Sequence, residues 1–240
     1  MKITVSSCLD GARSAKGLTV IIDVFRAFSF ECMAYALGAE RIIAVGALDE
    51  AYALGREHPE YILTGERGGA RCEGFACGNS PSELGKIDIR GRTIVHTTSA
   101  GTQGIANAEN AGEILAGALV NAAATARYIQ AREPEEVTLV GMGLGGNIPS
   151  EEDMLCAEYI KALLMGEEPD IRKKAERLRY TSGAKFFDER QQASFPRADF
   201  PICVDIDRHP FVLRARKAPV GWDMIKAEVP VHLENQDKGK

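Results

Sequence analysis

The chain has 240 residues, 45% hydrophobic and 26% charged, enough to bury a large core. A formal net charge of −5 with no basic block excludes an extended nucleic-acid surface. No apolar stretch approaches the ~20 residues of a membrane span, and the start lacks an apolar run before a small-residue cleavage site, so a cytoplasmic protein with no membrane partner is expected.

The first strong strand is "LTVIIDV", 18–24, which is nearly continuous in apolar residues, as a strand covered on both faces should be. A helix follows over 27–37, with Gly38 as its stop. "RIIAVG" (41–46) reads as a strand, "ALDEAYALGREH" as a helix and "YILTG" as a short strand. "RTIVHTT" (92–98) is the next strand and 101–110 a weak helix. "EILAGAL" is a strand, and 121–130 a helix with Asn121 as N-cap. "EVTLVGM" is another buried strand, and 150–165 the clearest helix. Residues 166–199 are charged and helix-rich, "FPICVDIDRHPFVLRARK" reads as a final β-rich segment, and the tail "ENQDKGK" is expected to fray.

Strands alternating with helices predict a three-layer α/β/α fold on a mostly parallel or mixed sheet. No Pro/Gly/Ser-rich linker divides the chain, so residues 1–240 are expected to form a single domain, with two lobes as the alternative. "GAERIIAVGALDEAYAL" and "NAGEILAGALVNAAATA" share a turn, a strand, a Gly-Ala-Leu element and an alanine-rich helix, which suggests an internal duplication. A sheet of this size commonly pairs as a homodimer.

In such sheets ligands bind at the carboxyl ends of the strands. Asp23 and Arg26 follow the first strand, and Glu66 and Arg67 follow "YILT". Thr97, Thr98, Ser99, Gly101 and Thr102 follow "TIVH", and "GMGLGGNIPSEED" follows "VTLV". Carboxylates suit Mg2+, while Arg and backbone N–H groups suit phosphate. The combination points to metal-assisted chemistry on a small phosphorylated molecule.

Each feature also has a plain structural reading. Asp23 could cap a helix, Arg26 could be a solvated charge, and Glu66 with Arg67 could be an exposed ion pair. "GNSP" could be a turn. Gly141-x-Gly143-x-x-Gly146 matches the dinucleotide fingerprint, but the crowd of Glu151, Glu152 and Asp153 would repel a bare pyrophosphate. Ser150 and Asp153 could instead form a cap. His96 reads as a core residue. Cys8, Cys32, Cys72, Cys77, Cys156 and Cys203 form no C-x-x-C pair and read as reduced thiols, Cys156 being buried.

"VIIDVFRA", "GERGG", "GFACGNSP", "TTSAGTQG" and "EEDMLCAEYI" together resemble the 2-phosphosulfolactate phosphatase (ComB) family in order and spacing. The resemblance runs from about residue 18 to 165 and continues weakly through "DIDRHPFV". It implies an α/β/α fold and Mg2+-dependent hydrolysis of (R)-2-phospho-3-sulfolactate, or a related phospho-acid, to the 2-hydroxy acid. Asp23 and Arg26 match the family's D-x-x-R-A element; Glu66, Arg67, Gly68 and Gly69 match its GERGG turn. Gly78, Asn79, Ser80 and Pro81 match its GNSP, Thr97, Thr98, Gly101 and Thr102 its threonine loop, and Glu152, Asp153 and Cys156 its E-D-x-x-C element. Phe28, Ser29 and Phe30 stand where the family usually has hydroxyl residues, and Ala100 where it usually has Asn, which allows a bulkier, more apolar acid.

The expected division of labour follows. Asp23, Glu66, Glu152 and Asp153 supply the Mg2+ ligands, with Asp23, Arg26 and Glu66 catalytic. Arg26 and Arg67 clamp acid groups. Gly68, Gly69, Asn79, Ser80 and the threonine loop cradle the substrate. Asp23 or a metal-activated water is the nucleophile. The alternatives are a nucleotide-binding oxidoreductase or transferase using the Gly141–Gly146 loop, and a non-catalytic anion-binding homologue.

Overall fold

Ten strands form one sheet in the computed structural model, which describes residues 1–229. They are β1 (Lys2–Ser7), β2 (Gly17–Ile22), β3 (Arg41–Ala44), β4 (Ile62–Arg67), β5 (Ala70–Arg71), β6 (Thr93–Thr97), β7 (Ala111–Gly117), β8 (Glu136–Gly141), β9 (Phe211–Lys217) and β10 (Trp222–Glu228). The helices are α1 (Cys8–Ser14), α2 (Ala27–Ala36), α3 (Leu48–Glu57), α4 (Pro81–Leu84), α5 (Gly101–Asn107), α6 (Ala122–Arg132), α7 (Glu151–Leu164), α8 (Arg172–Arg177) and α9 (Asp199–Cys203), with short 3-10 turns among them. The frayed tail expected from the sequence lies outside the described residues.

The sheet order is β1-β8-β2-β7-β9-β10-β3-β6-β4-β5. β1, β8, β2 and β7 are parallel to one another, as are β3, β6 and β4. The antiparallel hairpin β9–β10 joins the two sets. The sheet is therefore mixed, and three antiparallel steps make the two parallel sets run in opposite senses.

Alternation along the strands builds the layers. Leu18, Val20 and Ile22 of β2 face a cluster with α6 and α7, whereas Ile21 faces the opposite side. That opposite cluster is shared by both sets: it holds Ile42 and Ala44 of β3, Ile94 of β6, and Phe28 and Phe30 of α2. Ile43 and Val95 point the other way, onto Ala51 and Leu54 of α3. Helices thus cover both faces, as the near-continuous apolar strands required.

The repeat seen in the sequence has a topological counterpart. β2-α2-β3-α3-β4 and β6-α5-β7-α6-β8 follow the same plan. Each first strand sits inside the other unit: β2 lies between β7 and β8, and β6 lies between β3 and β4. The pairing agrees with the sequence match. Ile21 of β2 pairs with Ala116, and His96 of β6 pairs with Ala44, the alanine aligned with Ala116.

The structure extends the sequence reading in several places. β1 is a sheet edge whose residues are only exposed or half-buried, so its pattern is weak. α1 contains Gly11, a poor helix former. β10 sets polar residues on both faces, Asp223 on one and Lys226 and Glu228 beside buried Met224 on the other, so it lacks a clean alternation. In "FPICVDIDRHPFVLRARK" only Phe211–Lys217 is strand, because Asp199–Cys203 forms a helix turn.

Gly65 is the last β4 residue before Glu66 and has φ of +144°. A methyl group there would be driven into the Thr97 carbonyl oxygen on β6. Gly65→Ala is expected to lose about 3 kcal/mol or more of unfolding free energy, read from urea melts.

Candidate active site

The carboxyl ends of β2, β4, β6 and β8 converge on one cavity of about 730 Å³. Asp23, Glu66, Glu152 and Asp153 all line it. Each of the four is buried, and none forms an ion pair among the described residues.

Two of these carboxylates are committed to the backbone. Glu66 Oε1 accepts the Ser99 N–H at 2.7 Å, and Oε2 accepts the Gly69 N–H at 2.6 Å and the Ser99 hydroxyl at 3.1 Å. Asp153 Oδ1 accepts the Val24 N–H at 2.8 Å, and Oδ2 accepts the Gly143 N–H at 2.7 Å. Charged acceptors make strong bonds, so these two residues fix four loops around the cavity. Ser150 makes no side-chain cap bond, and Asp153 turns inward, so the capping-box reading does not describe the start of α7.

The other two keep free capacity. Glu152 Oε2 is buried without a partner. The Asp23 carboxyl receives the Gly101 N–H, and a Cβ at Gly101 would crowd Asp23 Oδ2 to 3.0 Å. Burial pushes the Asp23 carboxyl well above its ordinary value, with repulsion from Asp153, Glu66 and Glu152 adding to it. Burial, followed by Glu152, likewise pushes Asp153 up to about 7 despite its backbone bonds.

Arg26 is buried rather than solvated. Its φ of +90° and ψ of −63° are unusual for a residue with a side chain, a strain of the order of 1–3 kcal/mol. Its guanidinium donates to the Ser194 carbonyl and lies 4.4 Å from the Phe195 ring centre. Burial lowers its proton affinity, while Glu66 is the largest opposing influence.

Glu66 and Arg67 do not form an exposed ion pair. Glu66 pairs with Arg71 and Arg67 with Ala70 across the β4–β5 hairpin, whose two turn residues Gly68 and Gly69 have φ of +60° and +88°. Positive φ at both positions explains the glycine pair, and Phe195 leaves no room for a side chain at Gly69. Arg67 donates to the carbonyls of Glu66 and Gly46 and to the Thr97 hydroxyl, so its guanidinium braces the loop instead of the cavity wall.

The threonines are similarly committed. Thr98 and Thr102 exchange backbone-to-hydroxyl bonds of 2.8 and 3.1 Å at the start of α5, and Ser99 rather than a threonine hydroxyl reaches the wall. Gly68, Gly69 and Asn79 line the cavity, and Asn79 Oδ1 is buried without a partner. Ser80 instead donates to buried Asp199 at 2.7 Å. The far wall comes from Thr181, Ser182, Lys185 and Phe195, which sequence reasoning missed because 178–197 has no strand or helix period.

The Gly141–Gly146 loop is explained without a nucleotide. The Gly143 N–H is taken by Asp153, and a Cβ at Gly143 would collide with the Ile148 carbonyl in the tight turn. His96 is in the core as expected, 2.9 Å from Glu31.

A sequence model of the family described as 2-phosphosulpholactate phosphatase matches residues 6–217. The chain belongs to this family. A Bacillus subtilis (strain 168) protein named probable 2-phosphosulfolactate phosphatase is 32% identical over 203 residues, 83% of this chain and 87% of its own. Proteins of the same name from Caldicellulosiruptor saccharolyticus and Thermosynechococcus vestitus are 37% and 36% identical, over 63% and 62% of this chain and 64% and 62% of theirs. The family is one of phosphatases acting on a small phosphorylated substrate.

Membership in the 2-phosphosulpholactate phosphatase family sharpens the departures noted in the sequence. Phe28 and Phe30 are fully buried in the core, outside the cavity lining, so they take no polar group from it. Only Ala100 among those departures lines the cavity.

A carboxyl with a raised value keeps its proton in the fold after the unfolded chain has lost it. The stability it contributes is full below the ordinary value of 3.8 and is lost as pH rises through the folded value, about 7 for Asp153. In chelator, Asp23→Asn is therefore expected to gain stability relative to wild type at about pH 8 and little at about pH 4. Urea midpoints at the two pH values measure this; an equal effect at both contradicts the crowding.

Proposed function

We propose that this chain is a Mg2+-dependent phosphatase that hydrolyses the phosphate monoester of a 2-hydroxy acid, (R)-2-phospho-3-sulfolactate or a close relative. Family membership supports the reaction class. The observation that carries the site assignment is the cavity shared by four buried carboxylates, two of them with unused acceptor capacity.

Among the described residues no group of three or more His, Cys, Asp or Glu stands ready to hold a metal ion. The donors nevertheless fit Mg2+, which keeps several waters and takes only one or two carboxylates. Asp23 and Glu152 would hold it, together with the unpartnered Asn79 Oδ1. Glu66 and Asp153, the other expected ligands, would act behind them by fixing the loops. Bound there, Mg2+ supplies charge neutralisation for the phosphate and orientation of the attack.

Arg26, which lines the cavity, would then meet the phosphoryl oxygens with its guanidinium. The Ser99 and Gly69 N–H groups are held by Glu66, which keeps the loops from collapsing onto the substrate. Asp23 is the group nearest the chemistry. It acts either as the base that takes a proton from attacking water or as the nucleophile on phosphorus, in which case water then cleaves the aspartyl phosphate to release phosphate and restore the carboxylate. The ester P–O bond breaks, and the 2-hydroxyl oxygen of the product takes up a proton.

The six cysteines, all unpaired, fit a reducing compartment such as the cytoplasm. Among the described residues no helix is long and apolar enough to cross a membrane.

Purified protein with Mg2+ is expected to release phosphate from (R)-2-phospho-3-sulfolactate or 2-phospholactate, and EDTA is expected to abolish the release. Asp23→Asn should lower kcat by about a thousandfold and Glu152→Gln by about a hundredfold, with Mg2+ binding weakened in both. Full activity in both variants overturns the assignment.

A further inference from the structure

The cavity has two unlike walls. One carries the carboxylates. The other is built by residues of the segment from Leu178 to Arg197, which is anchored by Phe186 in the core.

Lys185 lies on this segment and lines the cavity. Its Nζ sits 5.3, 5.7 and 5.2 Å from the ring centres of Phe25, Phe186 and Phe195. Ring faces attract an ammonium group and hold it in place, but they leave its charge uncancelled. Among the described residues Lys185 forms no ion pair. On the same wall, Ser182 Oγ is buried with no hydrogen-bond partner. A caged, uncancelled cation and an unsatisfied hydroxyl in one cavity wall are what an anionic ligand group would complete.

That group is distinct from the phosphate. The phosphate of the substrate belongs beside Asp23, Glu152 and Arg26. A 2-phospho acid carries at least one further anion, and placing it against the carboxylate wall would be repulsive. Arg26 is already drawn to the Ser194 carbonyl and to Glu66.

We infer that Lys185, with Ser182 Oγ, binds the carboxylate or sulfonate of the 2-hydroxy-acid substrate and so sets the preference for acid-bearing phosphate esters. This inference rests on the phosphatase reading above. The segment 178–197 is then a specificity wall, and its Phe186 and Phe195, with Phe25 from beyond β2, form the seat of the ammonium.

The test compares two esters on wild type, Lys185→Met and Lys185→Arg: (R)-2-phospho-3-sulfolactate, and isopropyl phosphate, a secondary phosphate ester with no acid group. Lys185→Met keeps the apolar stem against the rings. It is expected to lose about 10- to 100-fold in kcat/KM on the acid ester, chiefly through KM, and less than about twofold on isopropyl phosphate. Lys185→Arg should recover most of the loss. Ser182→Ala should show the same selectivity with a smaller loss. Equal losses on both esters, or no loss on either, overturn the inference.

Calorimetric binding of 3-sulfolactate judges Lys185 without turnover. Wild type is expected to bind it at least about tenfold more tightly than Lys185→Met does. If wild type hydrolyses neither ester but shows this difference, the phosphatase reading fails and the role of Lys185 stands. Equal binding by both proteins, or none by wild type, overturns that role.

Discussion

Like charge crowded into a desolvated space is the constraint on which the site depends. Asp23, Glu66, Glu152 and Asp153 share one cavity with no bonded cation among the described residues. Buried carboxylates this close resist ionising together, so protons or a divalent ion must offset them. The fold makes the crowd tolerable by giving Glu66 and Asp153 backbone N–H partners on every oxygen. Those bonds stabilise two charges and at the same time fasten the loops that present the other two.

The two fastening carboxylates take up N–H groups at matching places in the duplicated plan. Val24 and Ser99 each lie two residues beyond the end of an inserted strand, β2 or β6. Asp153 accepts the N–H of the first and Glu66 the N–H of the second. One half then specialises: β2 leads to Asp23 and the strained Arg26, whereas β6 leads to Thr98 and Thr102, which bond to each other and start α5. The same scaffold position carries a carboxyl that lines the cavity in one unit and a closed threonine pair in the other.

Much of this was legible in the sequence, because strand periodicity and the polar character of strand ends are local properties. β2, β3, β4, β6, β7 and β8 were visible in their β-branched runs, and the rim residues followed from where those runs stopped. The direction of each side chain was not legible. Gly68, Gly69 and Arg67 all read as substrate contacts, yet only the two glycines of the hairpin turn line the cavity, while Arg67 bonds inward. Phe28 and Phe30 resembled changes at the anion site, yet they lie in the core. Lys185 gave no signal, because its importance comes from three rings brought together only by the fold.

The exchange of β2 and β6 also governs how the chain reaches its native state. As synthesis proceeds, β3 and β4 leave the ribosome before β6, the strand that must separate them. β2 must likewise wait for β7 and β8, more than 90 residues later by the pairing of Leu18 with Glu113. Neither unit can close its part of the sheet alone, so nascent chains carry open strand edges until most of the protein has been made. The interlocked plan has the form of a strand-swapped dimer fused into one polypeptide, in which strand exchange ties the halves together in addition to their shared core.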